Sequence, residues 1–297
     1  MKIRILLNGK KAALDPVRDA IFRARTDGPV EVRTTWEKGD VHRLVQEALA
    51  EGCKRLVAGG GDGTVKEVVD ALMTLRQEDR PELALLPLGT ANDFASACGI
   101  PDTPLSATTL AQTGKACSVD CIRANEHHFI NVASGGFGAD VTANTPVELK
   151  NFLGGGAYTI SGLIQAVKFS PYQGELRTPD GTLKSKAILG AVCNGRQAGG
   201  GQQLAPNALI NDGLMDLVAL LDFPKERLVQ VIKEVQSPDI NGEYVKRYRV
   251  PWAEWESDVE MPTNLDGEPV IAKRIRFDVI PGAIKLVLPE SCQLLEY

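Results

Sequence analysis

Arg55-Leu56-Val57-Ala58-Gly59-Gly60-Gly61-Asp62-Gly63-Thr64-Val65 runs from a short apolar strand, through three glycines, into a helical pattern. Successive glycines let the backbone turn tightly and come within contact distance of a ligand. The helix that follows carries Val65, Val68, Val69, Leu72 and Leu75 on its inner face. Its first N–H groups and the positive end of its dipole would point at that ligand. Thr64 and Glu67 stand at capping-box spacing and are expected to fix the helix start. Asp62 is the odd member. A carboxylate inside an anion cradle repels phosphate unless a cation lies between them, so the segment predicts an ATP–Mg²⁺ complex, with Asp62 acting on the metal directly or through water. The competing reading is a tight strand–helix turn with no ligand. The Gly-Lys-Ser/Thr ending of a Walker A loop is missing, so the mechanics of that loop do not transfer.

Upstream and downstream the same alternation continues. Strands are expected over 3–7, 30–35, 55–58 and 83–86, and helices over 15–25 and 41–50, the second closed by Gly52. The first helix shows Val17, Ala20, Ile21 and Ala24 on one face. Such alternation implies an α/β domain with a mostly parallel sheet covered on both sides. A second strand–loop–helix turn, Pro87-Leu88-Gly89-Thr90-Ala91-Asn92-Asp93, repeats the Gly-Thr step. In a parallel sheet both loops would leave the strands at their C-terminal edge, where ligands bind. After about Ser118 short β-rich runs take over: 118–123, 128–133, 186–193, 214–220, 259–265 and 275–280. Turn signals such as Pro179-Asp180-Gly181 and Asp266-Gly267 separate them. Helical pattern is confined there to 156–168 and 224–235. The expected organisation is an α/β domain over 1–122 and a C-terminal β-sandwich over 123–280, with the tail 281–297 a candidate to pack back on the first.

The chain has 297 residues and a net charge of -5. No global basic field exists to hold nucleic acid. No apolar run approaches the roughly 18 residues a membrane span needs, and the apolar stretch at the start is too short for a signal sequence. A cytoplasmic protein is expected, meeting any lipid at a membrane surface by transient contact. The six cysteines form no CxxC pair, so buried thiols in a reducing compartment are the default.

Gly60-Gly61-Asp62-Gly63-Thr64 together with Pro87-Leu88-Gly89-Thr90-Ala91-Asn92-Asp93-Phe94-Ala95 resembles the diacylglycerol kinase catalytic superfamily, and most of all its bacterial YegS-type lipid kinase branch. Thr35-Trp36-Glu37-Lys38-Gly39-Asp40, the run from Phe129 to Gly138, Asn194-Gly195-Arg196-Gln197-Ala198-Gly199-Gly200-Gly201 and Asn264-Leu265-Asp266-Gly267-Glu268 extend the resemblance over nearly the whole chain. It implies an ATP-binding domain related to those of NAD kinases and phosphofructokinases, a substrate-binding β-sandwich, and an active site in the cleft between them. It also implies that Thr35, the stretch Gly61, Asp62, Gly63, Thr64, Val65, Lys66 and Glu67, and Thr90 contact the nucleotide. Glu268 would be the catalytic base, with Asp62 as the second catalytic residue. A structural Mg²⁺ or Ca²⁺ would bind the Asp212 carboxylate and the main-chain carbonyls of Leu209 and Leu214.

Those roles make chemical sense. A lipid hydroxyl must lose its proton as it attacks phosphorus, and a positioned carboxylate can take it. Asp266-Gly267 is equally a common hairpin pair, with Asp266 a candidate metal or supporting partner. Asn211-Asp212-Gly213 alone is simply a turn; one carboxylate with main-chain carbonyls suits a hard cation. The run Gly199-Gly200-Gly201 reads as a flexible loop or as a flap close to substrate. Lys246-Arg247-Tyr248-Arg249 with Trp252 and Trp255 reads as a solvated surface or as a face for anionic headgroups. The three histidines receive no chemistry. The leading function is an ATP-dependent kinase of a membrane lipid, with phosphatidylglycerol or diacylglycerol as acceptor. The alternatives are an NAD kinase, which shares Gly-Gly-Asp-Gly-Thr, and a nucleotide-sensing protein without turnover.

Overall fold

The computed structural model describes residues 1–136, 170–237 and 241–296. They form two compact units, one of Met1–Cys121 with Pro281–Tyr297, the other of Ile122–Ile280.

In the first unit β1 (Ile3–Asn8), β2 (Val30–Thr35), β3 (Arg55–Gly60) and β4 (Glu82–Pro87) alternate with α1 (Asp15–Asp27), α2 (Asp40–Ala50) and α3 (Asp62–Met73). The strands are parallel, in the order β4-β3-β1-β2. β1 and β3 are covered on both faces, which is why they read as near-continuous apolar runs. The exceptions are Arg55, which opens β3, and Arg4 in β1. Arg4 is fully buried, and its guanidinium reaches Glu31 at 2.5 Å and Glu51 at 2.6 Å. α1 buries Val17, Ala20, Ile21 and Ala24 against Ile3, Ile5 and Leu7, as its helical spacing predicts.

Two helices follow β4: α4 (Asp93–Ala97) and α5 (Pro104–Thr113). The apolar pattern over 104–113 is weak and marks no element, although helix-start signals are present. Pro104 occupies the first turn, and Thr103 Oγ1 accepts from the Ser106 amide at 3.3 Å. Arg55 secures the other end, donating to the main-chain oxygens of Ala111 (2.6 Å) and Gly114 (3.0 Å) while pairing with Glu82 (2.6 Å).

The second unit is antiparallel. After β5 (Lys115–Ala124) come β6 (His127–Phe129), β7 (Val132–Gly136), β8 (Tyr172–Thr178), β9 (Gly181–Cys193), the short hairpin β10 (Gln197–Ala198) and β11 (Gln202–Gln203), β12 (Met215–Leu221), α6 (Leu228–Gln236), β13 (Val245–Val250), β14 (Trp252–Leu265) and β15 (Glu268–Leu288). The neighbour order is β13-β12-β9-β7-β14-β15, and β8 pairs with both β9 and β14. The last residues of β15 belong to the first unit, where Leu286 lies beside Leu83 of β4. The expected sandwich forms: Met215, Leu217 and Val250 share one core with Phe129, Ala253 and Phe277. The outer face of β9, β12 and β13 is covered by α6 through Val231.

The expected strand over 128–133 is divided, because Ile130 and Asn131 turn their amides to the Asp266 carboxylate instead of a neighbouring strand. The basic run 246–249 lies in β13. Lys246 Nζ donates to the Gly242 oxygen (2.6 Å), Arg247 to the Val235 oxygen (3.2 Å), and Arg249 pairs with Asp212. Those cations are engaged within the unit, which weighs against the headgroup reading. Gly199, Gly200 and Gly201 all take positive φ at the tip of the β10–β11 hairpin, a conformation that favours glycine. The helix expected over 156–168 lies outside the described residues. Among the described residues no helix is long and apolar enough to cross a membrane.

Candidate functional site

Because β1 to β4 are parallel, their C-terminal ends, Asn8, Thr35, Gly60 and Pro87, lie along one edge of the sheet. Here the loop after β3 meets the loop after β4. A Cβ at Gly89 would stand 2.5 Å from Gly61 Cα and 2.7 Å from Asn92 Oδ1. Only glycine permits that backbone-to-backbone approach. The Leu88 amide donates to the Gly60 oxygen at 2.8 Å. Asn92, in the left-handed region at φ 51, staples the second loop. Its Oδ1 accepts from the Gly89 amide (2.8 Å) and its Nδ2 donates to the Gly89 oxygen (3.1 Å).

The capping box expected from Thr64 and Glu67 is not formed. Gly61 takes the extended cap conformation itself, and its carbonyl accepts from the amides of Thr64 (2.9 Å) and Val65 (3.1 Å). The helix therefore starts at Asp62, which places Asp62, Gly63 and Thr64 in its first turn. Asp62 Oδ1 accepts from the Phe94 amide of α4 at 3.4 Å. Burial pushes the Asp62 carboxyl above the usual carboxylate range, and the neighbouring Asp93 charge adds to the effect. A divalent cation brought with a nucleotide would relieve that strain on its ionised form, so the residues present fit the Mg²⁺–ATP reading. Of the expected nucleotide contacts, Gly61, Asp62, Thr64 and Thr90 gather on these two loops. Val65 is buried, and Lys66 is buried against Asp70 at 2.6 Å. Glu67 and Gly63 are exposed.

Thr35 ends β2 on the same edge. Its carbonyl accepts from the Gly9 amide at 3.2 Å, so Asn8-Gly9 lies between Thr35 and the glycine loop. The strand expected over 3–7 extends to Asn8, and the Asn-Gly pair that closes it signals this loop. Beyond Thr35, Asp40 shapes the connection. Its Oδ2 accepts from the amides of Trp36 (2.7 Å) and Glu37 (3.0 Å), and Oδ1 from Arg43 (2.6 Å). The Glu37 amide, Arg43 and the Trp36 amide hold its carboxyl down to about 2. A carboxyl held below its unfolded value stabilises the fold above that value and loses the contribution as pH falls through the folded one. Asp40→Ala is therefore expected to lower the melting temperature by a few degrees at neutral pH. Wild type and variant should converge as pH drops from about 4 toward 2, which thermal melts across pH will check.

In the second unit three of the quoted motifs meet at one turn. Asp266 (φ 48) and Gly267 (φ 102) form a two-residue hairpin turn from β14 to β15. Asn264 Oδ1 accepts from the Gly267 amide at 2.7 Å. Both Asp266 oxygens are engaged by main chain: Oδ2 accepts from Ile130 (2.8 Å) and Asn131 (3.2 Å), Oδ1 from Val132 (2.8 Å). Asp266 therefore holds the turn rather than offering an open carboxylate to a metal. Asn194 joins the same place, its Nδ2 donating to the Ile130 oxygen at 2.7 Å. Glu268, next along, is exposed at the start of β15. Asp266→Ala leaves these amides without their acceptor and is expected to destabilise the protein by about 3 kcal/mol, read by urea unfolding.

At the start of β12, Asp212 Oδ1 accepts from the Leu214 amide at 3.0 Å and Oδ2 faces Arg249. Asp216, two residues beyond Leu214, was missed from sequence. Burial pushes its carboxyl up to about 6; Arg249 opposes the shift and the Asp212 charge adds to it. Among the described residues no group of three or more His, Cys, Asp and Glu side chains could hold a metal. A cation here would depend on main-chain oxygens, such as those expected of Leu209 and Leu214. Paired acidic groups, one of them poorly solvated, fit a hard cation, with Arg249 as its competitor.

Two family models match the chain, one after the other. A model of the diacylglycerol kinase catalytic domain matches residues 2–124. A model of the YegS C-terminal NAD kinase beta sandwich-like domain matches residues 133–288. A Shewanella frigidimarina protein named probable lipid kinase YegS-like is 48% identical over 295 residues, covering 99% of this chain and 96% of its own. A Salmonella arizonae protein named probable lipid kinase YegS is 42% identical, covering 98% of this chain and 97% of its own. Among solved structures, a diacylglycerol kinase from Bacillus anthracis shares the fold at a TM-score of 0.77 and 21% identity, covering 98% of both chains.

Proposed function

Because the chain belongs to the YegS branch of the diacylglycerol kinase catalytic family, we propose that it transfers the γ-phosphoryl group of ATP to a hydroxyl of a membrane lipid, phosphatidylglycerol or diacylglycerol before others. The observation that carries the nucleotide half is the approach of Gly89 to Gly61 at the sheet edge, with Asp62 in the first turn of α3. The lipid half draws its support from the names of the relatives.

The N–H groups of the first turn of α3 bind phosphate oxygens, and the glycines let the chain come that close. Thr35 and Thr90 flank the nucleotide from the neighbouring strand ends. Asp62 would hold the Mg²⁺ that accompanies ATP, directly or through water, and that ion would supply charge neutralisation for the transferring group. Glu268 takes the proton of the lipid hydroxyl as the new O–P bond forms and ADP leaves. The Asp266 turn holds Glu268 in place. ATP and a cytoplasmic location go together, and the lipid is met by transient contact with the membrane surface.

The structural cation is assigned to Asp212 with the carbonyls of Leu209 and Leu214, and Asp216 supports it. A bound Mg²⁺ or Ca²⁺ there would tie the loop before β12 to the strand. Wild-type protein is expected to melt at higher temperature when Mg²⁺ or Ca²⁺ is added, and Asp212→Ala to lose that increment whatever its starting stability. Equal increments in both would remove the assignment.

The lipid acceptor is tested with the full chain, labelled ATP and Mg²⁺, and mixed micelles carrying one lipid at a time. Label in phosphatidylglycerol or diacylglycerol is the expected outcome. Label in neither, with active protein confirmed by nucleotide binding, contradicts the proposal.

A further inference from the structure

Trp36 is 93% exposed, more than any other large apolar side chain among the described residues. Single apolar residues at a surface are ordinary. An indole, though, leaves one of the largest apolar areas of any side chain in water, and this one is carried on a fixed backbone. The Trp36 amide donates to Asp40 Oδ2 at 2.7 Å, and the Glu37 amide donates to the same oxygen at 3.0 Å. Asp40 is itself buried, and its own amide donates to the Glu37 oxygen at 3.2 Å. Gly39, at φ 93, completes the turn. The ring has no hydrogen bond, ring contact or cation partner among the described residues.

The position of this ring matters as much as its exposure. Trp36 directly follows Thr35, the last residue of β2. β2 lies beside β1 and β1 beside β3, so the end of β2 stands two strand spacings, about 10 Å, from the glycine loop. On the β4 side that loop is closed, because the Leu88 amide reaches the Gly60 oxygen and Gly89 lies against Gly61. On the β1 side Asn8-Gly9 intervenes. A Cβ at Gly9 would stand 2.7 Å from the Thr35 oxygen, so no side chain rises there. A nucleotide with its phosphates at the first turn of α3 therefore has open space toward β1 and β2. The indole stands at the end of that path.

We propose that Trp36 stacks on the nucleobase of the bound nucleotide and gives the site a preference for purine over pyrimidine triphosphates. An aromatic ring stacks on the flat face of a base, and the larger purine covers more of an indole. A ring whose backbone is already held loses less freedom on binding than one on a loose loop. The inference rests on the nucleotide half of the kinase reading and is independent of its lipid half.

The test is isothermal titration of the full chain with ATP, CTP and inorganic tripolyphosphate, each with Mg²⁺. Wild type is expected to bind ATP more tightly than CTP. Trp36→Ala is expected to weaken ATP binding about tenfold, equivalent to about 1.4 kcal/mol, within the range for one base on one aromatic ring. It should also narrow the ratio of ATP to CTP affinity and leave tripolyphosphate binding unchanged. Trp36→Phe keeps a ring and should recover most of the ATP affinity. Because the side chain is exposed, the melting temperature should hold in both variants. In turnover the loss should fall on KM for ATP, with kcat kept. Unchanged ATP affinity in Trp36→Ala overturns the stacking and leaves the nucleotide reading in place. If that variant instead loses binding to phosphatidylglycerol vesicles, the indole is a membrane anchor. An equal loss of tripolyphosphate binding also overturns the stacking, since the ring would then act on the loop and not on the base. A wild type that binds no ATP removes the nucleotide reading and the stacking together.

Discussion

The Glu268→Gln variant is expected to phosphorylate lipid about 10²–10⁴-fold more slowly than the wild type while binding ATP unchanged. Glutamine keeps the shape of the side chain and removes its capacity to take a proton. The position tolerates the change: Glu268 is exposed at the end of a turn whose geometry is fixed by Asp266, Gly267 and Asn264. Folding should therefore be untouched, and the loss should appear in kcat rather than in KM for ATP. Asp266→Ala makes the informative contrast. It is expected to lose stability first and activity as a consequence, because its carboxylate is engaged by main-chain amides. Equal activity of Glu268→Gln and wild type would remove Glu268 from the chemistry.

The second large effect is expected at Gly89. A methyl group there would stand 2.5 Å from Gly61 Cα and 2.7 Å from Asn92 Oδ1. The first obstacle is main chain and cannot rotate away. Gly89→Ala must part the two loops, losing about 1–3 kcal/mol of stability as overpacked sites do. It is also expected to weaken ATP binding by tenfold or more, roughly the 1.4 kcal/mol that a factor of ten represents. Gly63→Ala provides the control. A Cβ at Gly63 meets nothing of the protein within 4 Å, and alanine restricts the unfolded chain more than glycine does. Its melting temperature should hold or rise, so any loss of ATP affinity in that variant reports contact with the ligand itself. Isothermal titration with ATP–Mg²⁺ and thermal melts on both variants separate the two effects.

What the sequence made legible follows from the physics of each element. The parallel strands are buried on both faces, so Leu56-Val57-Ala58 and Leu83-Ala84-Leu85-Leu86 stand out as apolar runs. The face of α1 is marked by Val17, Ala20, Ile21 and Ala24, all of which are buried. Local chemistry was read less well where two motifs competed. Thr64 and Glu67 have the spacing of a cap, yet Gly61 adopts the extended conformation more readily and takes the cap position itself. α5 was overlooked because its apolar pattern is weak, and what anchors its C-terminal end is Arg55, a residue 56 positions from Ala111. β13 hid behind its charges, because Arg249 and Arg247 find partners only after folding.

The candidate site divides in the same way. Asp62, the glycines and Thr90 lie in contiguous motifs, so they can be proposed from sequence alone. Asp216 lies in an ordinary strand sequence, and its raised proton affinity comes from burial beside Asp212, which no local pattern encodes. The three anchors of Asp266 lie more than 130 residues away, as the 134-residue separation from Val132 illustrates, so its supporting role became visible only in the fold.

The central claim is phosphoryl transfer from ATP to a lipid hydroxyl. It is tested most directly by incubating the full chain with γ-labelled ATP, Mg²⁺ and a total lipid extract, with NAD supplied in a parallel reaction. Label in a lipid product, lost in Glu268→Gln, is the result expected here. Labelled NADP with unlabelled lipid would contradict it.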